Sequence, residues 1–199
     1  MPVEMLTLLK TAHLLAIAGA LGSAFAADAL LLTRGLFRPI TAVTAEILQF
    51  LSRLVLVGLM AVWVTGIPLA LEVYKAHPEF AGNEKFWVKV AIVVALSLNG
   101  LLIHRLVLPH VLAQQGRRLF DGAGTVQRLG LAAVGGVSFV SWTFPMLLGT
   151  AKELRSVVPA ARLLEAYGLA LTVAIAGLSI LALSVDRAAV SIAYEPQHP

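Results

Sequence analysis

Apolar residues in this chain fall into five long runs separated by short polar connectors. The runs cover residues 5–32, 47–71, 86–111, 129–149 and 160–185. A bilayer is crossed by about 20 apolar residues in helical form, and tilt absorbs any excess, so each run is long enough to span. Thr33 to Glu46 carries Arg34, Gly35, Arg38 and Pro39, and Glu72 to Lys85 carries Pro78, Gly82 and Asn83. Leu112 to Arg128 carries Gln114, Gln115, Arg117, Arg118 and Asp121, while Thr150 to Pro159 is short and charged. Connectors this short join antiparallel neighbours. The pattern predicts an all-α integral membrane protein, an up-and-down bundle of five transmembrane helices forming one domain over residues 1–199.

The first run admits a second interpretation. Ala24-Phe25-Ala26 resembles a signal-peptidase site behind an apolar core. The stretch before Lys10, however, holds Glu4 and no base, and the apolar run continues to Leu32. A retained helix is the expectation.

Composition supports a lipid setting. The 199 residues are 59% hydrophobic and 13% charged, with mean hydropathy +0.88. Soluble domains run at about 45–50% apolar and about 25% charged. Disorder, collagen, an ordinary soluble enzyme and a nucleic-acid-binding fold are set aside on that ground. The net charge of +4 comes from bases in loops beside apolar runs, where they set topology and meet lipid headgroups. The chain has no cysteine, which excludes disulfides, thiolate metal sites and iron–sulfur ligation.

Basic residues also bear on orientation. The side opposite the N-terminus collects Arg34, Arg38, Arg53, Arg105, Arg117, Arg118, Arg128 and Arg187. The N-terminal side collects Lys10, Lys75, Lys85, Lys89, Lys152, Arg155 and Arg162. Lys10 and Lys89 lie inside helix ends, and without them the positive-inside rule places the N-terminus outside and the C-terminus in the cytoplasm. The expected location is a bacterial-type inner membrane.

An ionised group inside a lipid-facing helix costs at least about 2.5–3.5 kcal/mol at the bilayer centre, so such groups tend to face the bundle interior and mark function. Two groups emerge by depth. Toward the N-terminal side lie Lys10 and His13, one helical turn apart, with Lys89, Ser141 and Trp142 at matching depth on other helices. These five form a candidate cofactor pocket. Toward the other side lie Asp28, Arg53, Asn99, His104 and Arg105. An Asp28–Arg53 ion pair is the simplest way to satisfy both charges. Plainer roles stand beside these: Lys10 and Lys89 as snorkelling cations, Trp87 as an interface anchor, and His77, His110 and His198 as solvated loop residues. Pro68 and Pro145 can kink their helices.

Bis-histidine haem ligation does not suit the spacing. His13 lies about six residues to one side of its helix midpoint and His104 about four to the other side, an offset of roughly 15 Å at 1.5 Å per residue. A haem held by His13 alone, or by His13 and a non-histidine ligand, is compatible. Ala12, Ala16, Gly19, Ala20, Ser23 and Ala27 form a small-residue face beside it, which admits a flat macrocycle or a neighbouring helix. HExxH, paired-carboxylate, phosphate-loop and Ser–His–Asp patterns are absent.

Two stretches carry a family resemblance. Leu9-Lys10-Thr11-Ala12-His13-Leu14-Leu15 opens the first run. Trp87-Val88-Lys89-Val90 leads through Asn99 to His104-Arg105-Leu106-Val107-Leu108-Pro109 in the third. Together they resemble the copper-resistance D-type membrane proteins and the small membrane protoporphyrinogen oxidases grouped with them. The resemblance implies a b-type haem between a first-helix histidine and a later lysine, which correspond to His13 and Lys89. It departs at Gly100, where the oxidases carry a histidine eleven residues after the lysine.

The expectation is thus a membrane protein binding haem b or a porphyrin-like cofactor at His13, for electron transfer or porphyrin redox chemistry. A small copper, ion or solute permease is the first alternative. A non-catalytic subunit that docks a membrane partner or a second copy through small-residue faces, Gly135, Gly136, Gly177 and Ser179 included, is the second.

Overall fold

The computed structural model describes residues 3–150 and 158–193, with side chains described as far as 185. Lys152, Arg155 and His198 lie outside the described residues, as does the side chain of Arg187. Among the described residues six α-helices make five long apolar rods: α1 Val3–Leu30, α2 Ala42–Ala76, α3 Glu84–Leu102, α4 Leu108–Ala113, α5 Thr125–Thr150 and α6 Ala160–Ala193. A π turn over Leu31–Gly35 prolongs α1, and another over Ile103–Val107 joins α3 to α4 in one rod. All five rods are long and apolar enough to cross a membrane.

Neighbouring rods run antiparallel. On α1 and α2, His13 lies against Gly66 and Ala20 against Gly58. On α5 and α6, Gly136 lies against Ile175 and Ser141 against Tyr167. Asn99 of α3 reaches Val134 of α5, and Trp63 of α2 donates to Ser97 of α3 at 3.0 Å. The result is an up-and-down bundle.

The α1–α2 seam is tight because its side chains are small. A Cβ on Gly58 would stand 2.6 Å from the Ala20 Cβ, nearer than real atoms approach. The small-residue face of α1 therefore receives a helix along Ala16 and Ala20, the interface chemistry that membrane helices favour. Gly136 plays the same part against Ile175, so it serves contact within the chain.

α2 begins earlier than its apolar run. Thr41 caps it, its hydroxyl accepting the Thr44 N–H at 3.1 Å. Pro68 and Pro145 sit inside α2 and α5 without ending them.

The end opposite the N-terminus, hereafter the loop end, is closed by two connectors clasped together. Ile40 N–H donates to the Arg117 carbonyl at 2.8 Å, Gly116 N–H to the Ile40 carbonyl at 2.9 Å, and Leu119 N–H to the Gly35 carbonyl at 2.8 Å. Gly116 and Gly122 turn the second connector at φ +79° and +74°, where a side chain is strained. The clasp turns Leu36, Ile40, Leu119 and Phe120 inward onto Leu48, Val111 and Ala182. Arg128 pins it, donating to the carbonyls of Ala123 and Phe120 at 2.9 Å each and of Ala182 at 3.3 Å. His110 belongs to the same fastening. Its Nε2 lies 2.8 Å from the Leu119 carbonyl, so that nitrogen donates, and Nδ1 accepts from Gln127 at 3.0 Å. The expectation that His110 is a solvated loop residue is thereby corrected: the connector folds back over it.

Candidate functional site

His13 is half-buried on α1, facing α2. Its Nδ1 lies 2.7 Å from Thr65 Oγ1, and that hydroxyl lies 2.6 Å from the Ala61 carbonyl. A carbonyl only accepts, and a hydroxyl has one proton. Thr65 therefore donates to Ala61 and accepts from His13, which places the imidazole proton on Nδ1 and leaves Nε2 with a lone pair. Gly66 makes room for the ring, since a Cβ there would stand 3.0 Å from His13 Cε1. Thr65 and Gly66 were not singled out in the sequence; a hydroxyl and a glycine adjoining inside an apolar run were the available signal.

The other members of the first polar group sit in separate surroundings. Lys10 is exposed one turn from His13. Lys89 is half-buried on α3 and has an interaction of its own. Ser141 is fully buried and shares a 2.8 Å hydrogen bond with the Tyr167 hydroxyl of α6. Trp142 is buried against Ala20, Ala24, Leu59 and Leu96. Ala20 lies seven residues beyond His13, so Trp142 is about 10 Å deeper along α1. Of the five, Lys10 and His13 share a stretch of helix, while Ser141 and Trp142 pack elsewhere.

The second polar group is rearranged more sharply. Among the described residues no ion pair joins Asp28 and Arg53, which corrects the expected pairing. The cause is helical phase. Leu48, Ser52, Val55 and Leu59 of α2 face inward, while Arg53, one step of about 100° from Ser52, is exposed. Arg105 is exposed for the same reason beside inward-facing His104. Asn99 is buried, and its Nδ2 donates to the Val134 carbonyl at 3.0 Å, fastening α3 to α5.

Asp28 and His104 instead border one cavity of about 540 Å³ in the half of the bundle nearer the loop end. Its walls come from all five rods, and its other polar residues are Ser52 and Ser138. Trp142, Leu59 and Leu96 pack together at one end; Leu36, Leu119 and Phe120 close the other. Lys10, His13, Lys89, Ser141 and Trp142 do not line it.

Outside the long rods, Asp121 organises the clasp. Partial burial works against its charged form. The Arg118 N–H and guanidinium, each 2.9 Å away, together with Arg128, outweigh that and hold its carboxyl below the ordinary carboxylate range.

Among the described residues, no group of three or more metal-ligating His, Cys, Asp or Glu side chains occurs. No family model matches the chain, and neither a curated protein nor a solved structure matches it.

Proposed function

We propose that this chain is a multi-pass protein of a bacterial-type inner membrane, N-terminus outside, that holds a b-type haem at His13 for one-electron transfer or porphyrin redox chemistry. The lipid setting is supported by the outer faces of the rods. Leu14, Leu15, Val57, Val64, Leu169 and Ile180 are all exposed. Apolar surface of that extent is a liability in water and ordinary in hydrocarbon.

The haem reading is carried by the His13–Thr65–Ala61 relay. A metal-ligating histidine almost always donates its second ring N–H to a fixed acceptor, which sets its tautomer and orientation. His13 has that arrangement, with Nε2 left to bind. A haem asks the protein for only one or two ligands, because the macrocycle supplies four donors. Lys10, exposed one turn away, is a cation of the kind a propionate needs. The resemblance to the protoporphyrinogen oxidases implies His13 and Lys89 as the pair around such a haem. Bound there, a haem supplies one-electron exchange between its ferric and ferrous states; the chain's part is to hold the imidazole tautomer and to offset the propionate charge.

The permease alternative has less support. His13 does not line the cavity of Asp28 and His104, and Trp142, Leu59 and Leu96 pack together between their depths along the bundle.

Haem content of the purified full chain tests the reading. About one haem per chain is expected in the wild type, with loss in His13→Ala. A haem-free wild type overturns it.

A further inference from the structure

The cavity that Asp28 and His104 border has no part in the haem reading and calls for its own account. Asp28, His104 and Ser138 line it, and none of the three has a hydrogen bond or ion pair to another described residue. Ser52 differs, because its hydroxyl donates to the Gln49 carbonyl at 2.9 Å. Ser138 is only 5% exposed and lines the same space. Three polar side chains without a partner among the described residues therefore line one otherwise apolar space, where an occupant of matching chemistry can pair with them.

The lining restricts the occupant's chemistry. Apart from the four polar residues the walls are hydrocarbon and aromatic, which disfavours sugars, nucleotides and hydrated ions. No lysine or arginine lines the cavity. A carboxylate or phosphate would meet Asp28 with no cation to offset it, so fatty acids, phospholipid headgroups and haem propionates are poor occupants. The nearest guanidinium positions in sequence, Arg53 and Arg105, face outward. Arg128 is engaged by three carbonyls.

What this space lacks is a positive charge with an apolar body. We propose that the cavity binds a lipophilic organic monocation, with Asp28 as its counterion, the Phe139 ring as an aromatic wall, and His104 and Ser138 available for hydrogen bonds. A cation against an aromatic face is attracted by the ring's quadrupole, most strongly where water is excluded. The volume, about 540 Å³, lies in the range of sites for drug-sized molecules. The route in is lateral. Cavity-lining Phe139 and Val173 are 46% and 64% exposed on the outer apolar surface, so a ligand dissolved in the hydrocarbon reaches the space without crossing the loop end.

Tetraphenylphosphonium is a suitable probe, titrated into the purified full chain in dodecyl maltoside by equilibrium dialysis. The expected result is saturable binding at one site, weakened at least about tenfold in Asp28→Asn and largely kept in Asp28→Glu. Ser138→Leu keeps the carboxylate but fills the space, and is expected to lose binding. Each variant is checked for unchanged helix content and monodispersity. Absence of saturable binding by the wild type overturns the proposal, as does an Asp28→Asn affinity equal to wild type. Equal competition by neutral triphenylphosphine also overturns it, by assigning the cavity to uncharged ligands. Haem content, measured on the same samples, reads His13 alone, so either reading can fail without the other.

Discussion

His13 and Thr65 are joined by a 2.7 Å hydrogen bond across the α1–α2 seam, and the bond has a fixed direction because Thr65 gives its own proton to Ala61. A side chain that had only to be tolerated in a helix end would not need a partner that dictates its tautomer. If His13 ligates haem, the relay sets the basicity and angle of the ligand. Thr65→Val keeps the shape and removes the acceptor. Haem affinity is expected to fall about 10–100-fold, as for other outer-shell partners of metal ligands. Thr65→Ser should keep most of it. Haem titration of the apoprotein distinguishes the two.

The same seam makes a prediction about stability that is independent of any cofactor. Gly58→Val forces a side chain into the Ala20 Cβ and the Ala16 carbonyl. Overpacking of this kind costs about 1–3 kcal/mol. Gly22, on the same helix as Ala20, has nothing within 4 Å of an added Cβ. Gly22→Ala is therefore expected to be neutral or stabilising, since alanine is the better helix former by about 1 kcal/mol. Thermal unfolding in detergent should separate the two variants clearly.

At the loop end, Arg128 gathers carbonyls from the connector and from α6, with Phe120 under its guanidinium at 5.6 Å. Arg128→Met keeps the stem and removes the donors, stranding the carbonyls of Ala123, Phe120 and Ala182. A loss of about 2–4 kcal/mol is expected, since hydrogen bonds from a charged donor are the stronger kind. Hydrogen exchange should accelerate across residues 115–124 and leave the centres of α1 and α2 unchanged.

Asp121 gives the clasp a pH dependence. Its folded carboxyl is held below the ordinary value of 3.8, so its contribution to stability is present above that value. As pH falls through the folded-state value the contribution is lost. Thermal midpoints measured from neutral pH downward should fall in the acid range, and the fall should be smaller in Asp121→Asn, which carries no titrating group. An identical acid profile in the variant would remove Asp121 as the cause.

The five rods were legible in the sequence because length and apolarity are enough to identify a helix that can span. Their rotation was not. A soluble helix has one apolar stripe that reveals which side faces the core, whereas a helix apolar all round has none. Asp28 and Arg53 looked like partners by depth, and only the phase of α2, with Ser52 inward and Arg53 outward, separates them. The same ambiguity joined Ser141 and Trp142 to His13, although one binds Tyr167 and the other packs about 10 Å deeper. Polar connectors were legible as breaks but not as structure. The clasp of Ile40 on Gly116 and Arg117, and the folding of the second connector over His110, depend on backbone hydrogen bonds that residue types do not announce.

His13, and not His104, is the haem ligand proposed for this chain. Reduced-minus-oxidised absorption spectra of membranes carrying the wild type, His13→Ala and His104→Ala address it most directly. A b-type signal is expected in the wild type and in His104→Ala, and none in His13→Ala. A signal that survives in His13→Ala and vanishes in His104→Ala would contradict it and place the cofactor in the cavity beside Asp28.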